Sequence, residues 1–322
     1  MWRELAGARI FITGGTGFFG KWLLESIAAA NDALGVGVAA TILSRAPDRF
    51  AREAPHLATR PEFAWLAGDT ADFAFPAQRF DYVVHFATAS AAELGAGDAA
   101  VALSTLVGTK RILDFAGICQ ARRLLLASSG AVYGRQPAEL SHIPESYGGA
   151  PLPQHPGAAY GEVKRMTELM CALTPAVECV IARGFAFFGP HLPLTDKFAI
   201  GSFMRDALAG GPIRIRGDGT PVRSYLYGAD LAIWLITLLL KGKPNHPYNV
   251  GSDRAIALAD LAREVNVATG STGIETAMAP APGAPDTYVP DIRRARDELG
   301  LDVFIPLALG LKRTAAWARQ LP

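Results

Sequence analysis

The chain has 322 residues, half of them apolar, with 31 basic and 30 acidic residues and a formal net charge of +1. A chain of this length buries a sizeable core in one large domain or two intimate ones. Because no run of like charge forms a basic stripe, nucleic acid is not expected as a partner. The longest apolar run, residues 231–240, is about half the length needed to span a bilayer, so we expect a core helix there and no membrane span.

The cysteines and the first residues indicate the cellular setting. Cys119, Cys171 and Cys179 are widely spaced, with no His or Cys nearby at metal-ligand spacing, which predicts buried thiols and no metal site. Arg3 and Arg9 lie where a signal peptide would need an apolar stretch. We therefore expect a cytoplasmic protein.

In the first half of the chain, short apolar and β-branched runs alternate with segments of helical length. Continuous apolar runs separated by helices predict a parallel α/β sheet that is doubly wound, with helices on both faces. The predicted strands are 10–13, 38–43, 63–67, 82–86, 124–128 and 177–182, and the predicted helices include 18–31, 99–120 and 158–173.

A glycine-rich turn follows the first predicted strand. In Thr13-Gly-Gly-Thr-Gly-Phe-Phe-Gly20, the spacing of Gly14, Gly17 and Gly20 permits a tight turn, close approach of a pyrophosphate and close packing of helix on strand. The helix that follows would point its N-terminus at the phosphates. The motif predicts a Rossmann-type dinucleotide-binding domain, the alternative being a purely structural turn. The residues predicted to bind the cofactor here are Gly14, Thr16, Gly17, Phe18, Phe19 and Gly20.

Residues after the next three strands are predicted to complete the cofactor site. Ser44 and Arg45 stand where an NAD-selective site usually has an acidic residue, so Arg45 is expected to accept the 2′-phosphate of NADP, or else to be a solvated surface residue. NADP is therefore slightly favoured over NAD. Asp69 and Thr70 are placed to meet the adenine, although Asp69 could instead cap a turn. The residues expected under the ribose and nicotinamide are Phe86, Ala87 and Thr88.

A second constellation predicts the chemistry. Tyr160 and Lys164 are four residues apart near the start of a predicted helix, so they share one face. We expect Lys164 to lower the pKa of Tyr160, which would make the phenol a usable acid–base group. The stretch Ser128-Ser129-Gly-Ala-Val-Tyr-Gly134 at the end of the fifth strand strengthens this prediction.

Beyond about residue 189 the pattern loosens into Pro- and Gly-rich stretches, such as 189–193 and 279–285, and shorter helices. This composition predicts a smaller α/β lobe that binds substrate. The predicted organisation is a dinucleotide-binding domain at 1–188, to which part of 226–252 returns, and a mainly substrate-binding lobe at 189–322.

These motifs together resemble the extended short-chain dehydrogenase/reductase superfamily, in its nucleotide-sugar epimerase/dehydratase/reductase branch. The resemblance covers essentially the whole chain. Besides the glycine turn, the Ser-Ser stretch and the Tyr160/Lys164 pair, the similar segments are 183–190, 217–224, 228–231, 248–251 and 291–300.

The resemblance implies roles for individual residues. Tyr160 would exchange a proton with a sugar oxygen to which Ser129 hydrogen-bonds, and Lys164 would also bind the nicotinamide ribose. Ser128 would contact substrate, and Arg223 would hold the substrate diphosphate, a task suited to a bidentate guanidinium. The alternatives are a turn-capping role for Ser129 and a surface ion pair for Arg223. By analogy with the family, helices 99–120 and 158–173 would form a homodimer.

Two departures from the family pattern bear on the reaction. In dehydratases and decarboxylases of this branch, the stretch that corresponds to residues 129–134 resembles Thr-Asp-Glu-Val-Tyr-Gly or Thr-Ser-Glu-Val-Tyr-Gly. This chain has Gly130 and Ala131 at the second and third positions of that pattern. Neither side chain can move a proton. If dehydration did occur, Glu139 and Glu145 would be the first candidates for its acid and base. The family's frequent Asn after Arg-x-Phe is Ala186 here.

The sequence therefore predicts an oxidoreduction at C4 of a nucleotide-diphosphate sugar, with reduction of a 4-keto-6-deoxy sugar as the leading hypothesis. The first alternative is a 4-epimerase, which uses the same residues without net cofactor consumption. A reductase for ketones without a nucleotide, or a non-catalytic dinucleotide-binding protein of the same fold, are the others.

Overall fold

The computed structural model describes residues 1–90, 93–94, 99–279 and 283–320. The strands of its main sheet are β1 (Arg9–Thr13), β2 (Ala39–Ser44), β3 (Phe63–Ala67), β4 (Tyr82–His85), β5 (Arg123–Ser129), β6 (Glu178–Gly184) and, later in the chain, β11 (Pro247–Val250). Their order is β11-β6-β5-β4-β1-β2-β3. The strands β1 to β6 pair in parallel with their neighbours in this order. The predicted Rossmann-type α/β fold is confirmed, and the six predicted strands differ from those observed by at most two residues at either end.

The three helices whose bounds were predicted are observed, with ends that differ from the prediction by at most three residues. The described helices are α1 (Phe18–Leu34), α2 (Pro47–Glu53), α3 (Pro55–Ala58), α4 (Ala99–Ile118), α5 (Ala159–Ala172), α6 (Ala199–Leu208), α7 (Gly228–Lys241), α8 (Leu258–Thr269), α9 (Arg293–Leu299) and α10 (Leu307–Ala318). Helix α1 continues three residues beyond the predicted end at residue 31. It ends at Gly35, whose φ of 60° and N–H bond to the Asn31 carbonyl form a left-handed C-terminal cap.

The sheet order creates one topological switch point. Strands β1 and β4 are neighbours in the sheet. The chain leaves β1 toward β2 on one side and leaves β4 toward β5 on the other side. Thr13, the last residue of β1, pairs with Leu43 on one side and His85 on the other. A crevice opens at the carboxyl ends of strands at such a point, and in open α/β sheets it is where ligands bind.

A cluster of phenylalanines forms much of the core beneath this crevice. Phe11 on β1 is fully buried, and its ring centroid lies 4.6 Å from that of Phe115 on α4. Phe73 and Phe80 also pack on Phe115, at 5.5 and 5.8 Å. Truncating such a residue to alanine costs about 3–5 kcal/mol, so this cluster fixes α4 firmly against the sheet.

The chain divides into two compact units. The first comprises Met1–Gly134, Gly149–Gly184 and Ala232–Tyr248, and the second comprises Arg135–Gly148, Phe185–Leu231 and Asn249–Pro322. The chain thus leaves the first unit four residues before the predicted boundary at 188, and part of 226–252 lies in the first unit. Of the predicted Pro-rich stretch 279–285, residues 280–282 lie outside the described residues.

The second unit contains small sheets. Their strands are β7 (Phe187–Phe188), β8 (Ile213–Ile215), β9 (Val222–Arg223), β10 (Leu226–Tyr227), β12 (Ile256–Ala257), β13 (Ile274–Thr276) and β14 (Thr287–Tyr288). Strand β9 is the centre of a three-stranded sheet between β12 and β14, while β7 pairs with β10 and β8 with β13.

The apolar run at 231–240 forms most of helix α7. Leu231, Trp234 and Leu238 on this helix have at most 1% of their surface exposed, which confirms the predicted core helix. Among the residues that the structure describes, no helix is both long and apolar enough to cross a membrane.

Candidate active site

The glycine turn after β1 requires its glycines for steric reasons. Gly14 has a φ of +70°, and a side-chain Cβ there would lie 2.6 Å from the backbone nitrogen of Ala87. A Cβ on Gly20 would lie 2.3 Å from the Cα of Gly15, so only glycine lets α1 pack this closely on the turn. Gly17 is the N-cap of α1 and has no side chain to occupy the helix amides. A helix N-terminus that begins in this way is the kind of site at which proteins bind phosphates.

A cleft of about 630 Å³ lies at this turn. Among the predicted cofactor residues, those that line it are Gly14, Thr16, Gly17, Ser44, Arg45, Asp69, Thr70, Phe86, Ala87 and Thr88. The predicted contacts Phe18, Phe19, Gly20, Tyr160 and Lys164 do not line it. Gly20 packs on the turn instead, and the Phe19 ring packs edge-on against Phe86 at 5.7 Å. Residues at or just after the carboxyl ends of β1, β2, β3 and β4 line this cleft.

Sequence reasoning missed further lining residues. Arg49 on α2 lines the same cleft as Arg45, and so do Ser104 and Thr105 on α4. Arg49 was detectable, because it lies four residues after Arg45 and follows Pro47, a residue favoured in the first turn of a helix. The α4 residues reach the cleft only because the phenylalanine core holds that helix against the sheet.

Arg45 and Asp69 face each other across the cleft. The Arg45 Nε lies 4.0 Å from Asp69 Oδ2, and the Arg45 side chain is 80% exposed. An exposed pair at this distance contributes little to stability, so the guanidinium remains available to a ligand. The other oxygen of Asp69 accepts a hydrogen bond from the Ala71 N–H at 2.9 Å, which is the turn-capping arrangement considered above as an alternative.

Ser129 and Tyr160 meet at the carboxyl end of β5. Ser129 precedes a 3₁₀ turn (Gly130–Tyr133), and its Oγ accepts a hydrogen bond from the Ala131 N–H at 3.1 Å. Helix α5 approaches this turn through Gly161, where a Cβ would lie 2.6 Å from the Ala131 carbonyl oxygen. Burial raises the pKa of the Tyr160 phenol, and a hydrogen bond with Ser129 opposes that rise.

The ammonium of Lys164 is directed at the protein backbone. The residue is 3% exposed, its Nζ donates a hydrogen bond to the Ala127 carbonyl at 2.6 Å, and it lies 5.8 Å from the centroid of the Tyr160 ring. Burial lowers the pKa of Lys164 to about 7, while the negative charge of Glu168 acts in the opposite direction. The expectation of a lowered pKa for Tyr160 is wrong for this structure, because desolvation of the phenol dominates.

Ser128 is buried and belongs to a partly buried ionic network that the sequence did not reveal. Its hydroxyl donates to Glu168 at 2.5 Å, and Arg183 donates to both oxygens of the same carboxylate, at 2.9 and 2.6 Å. Arg183 also donates to the Tyr133 hydroxyl at 2.9 Å. The Ser128 hydroxyl hydrogen is therefore directed into the protein, and contact with substrate remains a prediction. The only sequence signal for Glu168 was its spacing of four residues from Lys164.

Two residues considered for substrate chemistry lie in the second unit. Arg223 on β9 donates to the carboxylate of Asp286 at 2.6 Å and to two backbone carbonyls, which is the ion-pair alternative. Its role toward a diphosphate remains a prediction. The carboxylate of Glu145 is buried, accepts from the Asn249 N–H at 2.9 Å and lies 3.8 Å from Arg294. Burial raises the pKa of Glu145.

Comparisons with known proteins identify the family and the fold. A model of the NAD dependent epimerase/dehydratase family matches residues 10–251. UDP-glucuronic acid decarboxylase 1 of Xenopus tropicalis is 29% identical over 97% of this chain and 72% of its own length. The crystal structure of UDP-glucose 4-epimerase from Thermotoga maritima, solved with UDP-glucose, has a TM-score of 0.83 at 22% identity and covers 97% of this chain and 99% of its own. UDP-glucuronic acid 4-epimerase from Bacillus cereus, solved with UDP-glucuronic acid and NAD, has a TM-score of 0.81 at 19% identity and covers 98% and 100%.

Proposed function

Since the chain belongs to the NAD dependent epimerase/dehydratase family, we propose that it catalyses a nicotinamide-dependent oxidoreduction at C4 of a nucleotide-diphosphate sugar. Within that class we favour reduction of a 4-keto-6-deoxy sugar, and a 4-epimerase is the second candidate. The observation that carries the proposal is the Ser129–Tyr160–Lys164 group combined with a turn that has no acid or base at Gly130 and Ala131.

The residues of the cleft fit a nicotinamide dinucleotide. A Cβ at Gly14 would meet the Ala87 amide, so only a glycine leaves this close approach open, and Gly17, the N-cap of α1, lines the same cleft. We assign the pyrophosphate to Gly14, Thr16 and Gly17. When bound, the nicotinamide would supply or accept the hydride at C4.

The protein's own part in the reduction is to supply a proton. Tyr160 gives its phenolic proton to the oxygen on C4 while the carbon gains the hydride, so that the ketone becomes an alcohol. Ser129 donates a hydrogen bond to the same oxygen and stabilises its developing charge. The raised pKa of Tyr160 suits this direction, because it keeps the phenol protonated before the reaction.

Lys164 and Glu168 support the phenolate that remains. The Lys164 ammonium, 5.8 Å from the centre of the Tyr160 ring, favours the negative charge left on the phenol oxygen. Glu168 raises the pKa of Lys164 against the effect of burial, which helps the lysine to stay charged at neutral pH. Arg183 and Ser128 hold the Glu168 carboxylate in place.

Decarboxylation and dehydration are not proposed, although the relatives include UDP-glucuronic acid decarboxylases. In the pattern typical of those enzymes a Glu stands at the position that Ala131 occupies here, and alanine cannot move a proton. Glu145 does not replace it in our proposal, because its carboxylate is already bound to the Asn249 amide. Oxidoreduction at C4 does not need an acidic side chain at position 130 or 131, because Ser129, Tyr160 and Lys164 carry it in this proposal.

Two further proposals concern the cofactor and the assembly. Arg45 and Arg49 line the cleft where β2 ends, and two guanidinium groups favour the 2′-phosphate of NADP. Helices α4 and α5 carry exposed apolar side chains, including Leu103 at 62% and Leu169 at 52% exposure. We propose that this face pairs with a second copy of the chain about a two-fold axis.

A substrate screen tests the proposal. The purified protein is mixed with nucleotide sugars, with their 4-keto derivatives and with the corresponding sugars that lack a nucleotide, each with NADH and with NADPH. We expect turnover only when the nucleotide diphosphate is present. Equal rates with a simple ketone would instead support a reductase that does not need a nucleotide. Cofactor binding without turnover of any nucleotide sugar would favour a non-catalytic protein.

A further inference from the structure

A chain of buried hydrogen bonds runs from α4 to the glycine turn. It links Thr109, His85 and Thr13, whose exposed fractions are 1%, 3% and 0%. His85 Nε2 lies 3.2 Å from Thr109 Oγ1, and His85 Nδ1 lies 2.7 Å from Thr13 Oγ1. Thr13 Oγ1 also accepts from the Ala87 N–H at 3.1 Å. A buried polar chain of this kind is directional, since each hydroxyl has one hydrogen to give.

The direction can be assigned from its far end. Thr109 donates its hydroxyl hydrogen to the Thr105 carbonyl at 2.9 Å, and a carbonyl oxygen only accepts. Thr109 Oγ1 must therefore accept from His85 Nε2–H. In a neutral imidazole the other nitrogen is then an acceptor, so Thr13 donates its hydrogen to His85 Nδ1. A lone pair of Thr13 Oγ1 is left for the Ala87 amide.

The imidazole is held in the neutral form that this assignment needs. Burial, together with the positive charge of Lys164, lowers the pKa of His85 to about 3. A doubly protonated ring would present hydrogen to both threonines and take away the acceptor that orients the Thr13 hydroxyl.

The end of the chain of bonds lies at the cofactor cleft. The Ala87 nitrogen is the atom that a Cβ at Gly14 would approach to 2.6 Å, so this amide lies against the glycine turn. Both Gly14 and Ala87 line the cleft of about 630 Å³. The position of the Ala87 amide therefore fixes the spacing between the turn after β1 and the segment after β4.

We propose that His85 is a positioning residue for the dinucleotide: by accepting the Thr13 hydrogen it directs a lone pair of the Thr13 oxygen at the Ala87 N–H and fixes the two walls of the cleft. This inference rests on the proposed function of the cleft. His85 does not contact the cofactor in this account, and its effect is on affinity and not on proton transfer.

The test compares substitutions that keep or remove single hydrogen-bonding groups, with the dissociation constant of NADH and NADPH measured by fluorescence titration. Thr13→Val keeps the shape and loses the hydroxyl, and His85→Leu loses the acceptor; each is expected to weaken binding about tenfold, the effect of one lost hydrogen bond. Thr13→Ser, which keeps the hydroxyl, and His85→Asn, which places an amide oxygen near the Nδ1 position, are expected to bind as wild type within about threefold.

Thr314→Val is the matched control, because it removes a hydroxyl that is equally buried (3% exposed) but donates to the Gly310 carbonyl on α10, outside this chain of bonds. It should lower the melting temperature while changing the dissociation constant by less than about twofold. The proposal is overturned if Thr13→Val and His85→Leu bind like wild type, or if Thr314→Val weakens binding as much as Thr13→Val does. If Thr13→Val does not fold, the His85→Leu and His85→Asn pair decides. A wild-type protein that binds neither cofactor would instead refute the proposed function.

Discussion

Replacing Lys164 by methionine should change how the stability of the protein depends on pH. The ammonium is 3% exposed, and burial lowers its pKa from 10.5 to about 7 in the folded protein. Between these two values the unfolded chain binds a proton at this residue and the folded protein does not. Folding is then favoured by removing protons, so the free energy of unfolding rises with pH in this window. Below about pH 7 both states are charged and the penalty of burying the ammonium is constant.

The expected size follows from the shift. A displacement from 10.5 to about 7 corresponds to about 5 kcal/mol over the whole window, at about 1.4 kcal/mol per pH unit once the folded lysine is neutral. Between about pH 7.5 and 9, Lys164 should therefore add roughly 2 kcal/mol to the free energy of unfolding. Lys164→Met has no ammonium to neutralise and should lack this rise.

Urea unfolding of the cofactor-free protein at constant ionic strength measures the effect. The control is Lys110→Met, which removes an ammonium that is 61% exposed and paired with Asp114; this variant should keep the pH dependence of the wild type. If the free energy of unfolding of Lys164→Met and of the wild type changes equally with pH across this range, the lysine is not desolvated. Its buried position beside the Tyr160 ring would then be wrong.

Further predictions concern the chemistry and the assembly. Tyr160→Phe should keep the fold and cofactor binding while reducing turnover by at least about a hundredfold, as expected for loss of a proton-transfer group; a near wild-type rate would refute the assignment. Arg45→Asp should reverse a preference for NADPH over NADH, and an unchanged ratio in titrations of both cofactors would contradict the NADP proposal. No 4-keto-6-deoxy product should form from a nucleotide-diphosphate glucose, nor a pentose from the glucuronic acid, because Ala131 cannot move a proton; mass spectrometry of the products checks this. Light scattering should show a dimer that Leu169→Glu converts to a monomer, while Leu309→Glu, at a site 41% exposed on α10, leaves it intact.

The sheet could be predicted because its strands are signalled locally. Residues 63–67 were assigned the bounds that β3 has in the structure, since an apolar run between polar turns needs no tertiary information to be recognised. The ends of α1 and α4 were less accurate, by two or three residues, because the last turns of a helix carry little periodic signal.

The parts that sequence did not predict depend on contacts between distant segments. Ser128 and Arg183 meet Glu168 only because β5 and β6 are neighbours and α5 lies over them. The pKa of Tyr160 is decided by burial, which the helical spacing to Lys164 could not reveal. Likewise, nothing in the composition of residues 135–148 set them apart, and their place in the second unit rests on bonds such as that from Asn249 to the Ile143 carbonyl.

The reaction proposed for this protein is net reduction at C4 of a nucleotide sugar, with Tyr160 as the proton donor. Its most direct test is to supply 4-keto-6-deoxy nucleotide-diphosphate sugars with NADPH and to follow the nicotinamide absorbance together with the product's stereochemistry. We expect stoichiometric loss of the absorbance, a single hydroxyl epimer at C4, and loss of both in Tyr160→Phe. A protein that instead carried tightly bound NAD and interconverted 4-hydroxyl epimers without net cofactor consumption would contradict the reductase proposal and establish the 4-epimerase.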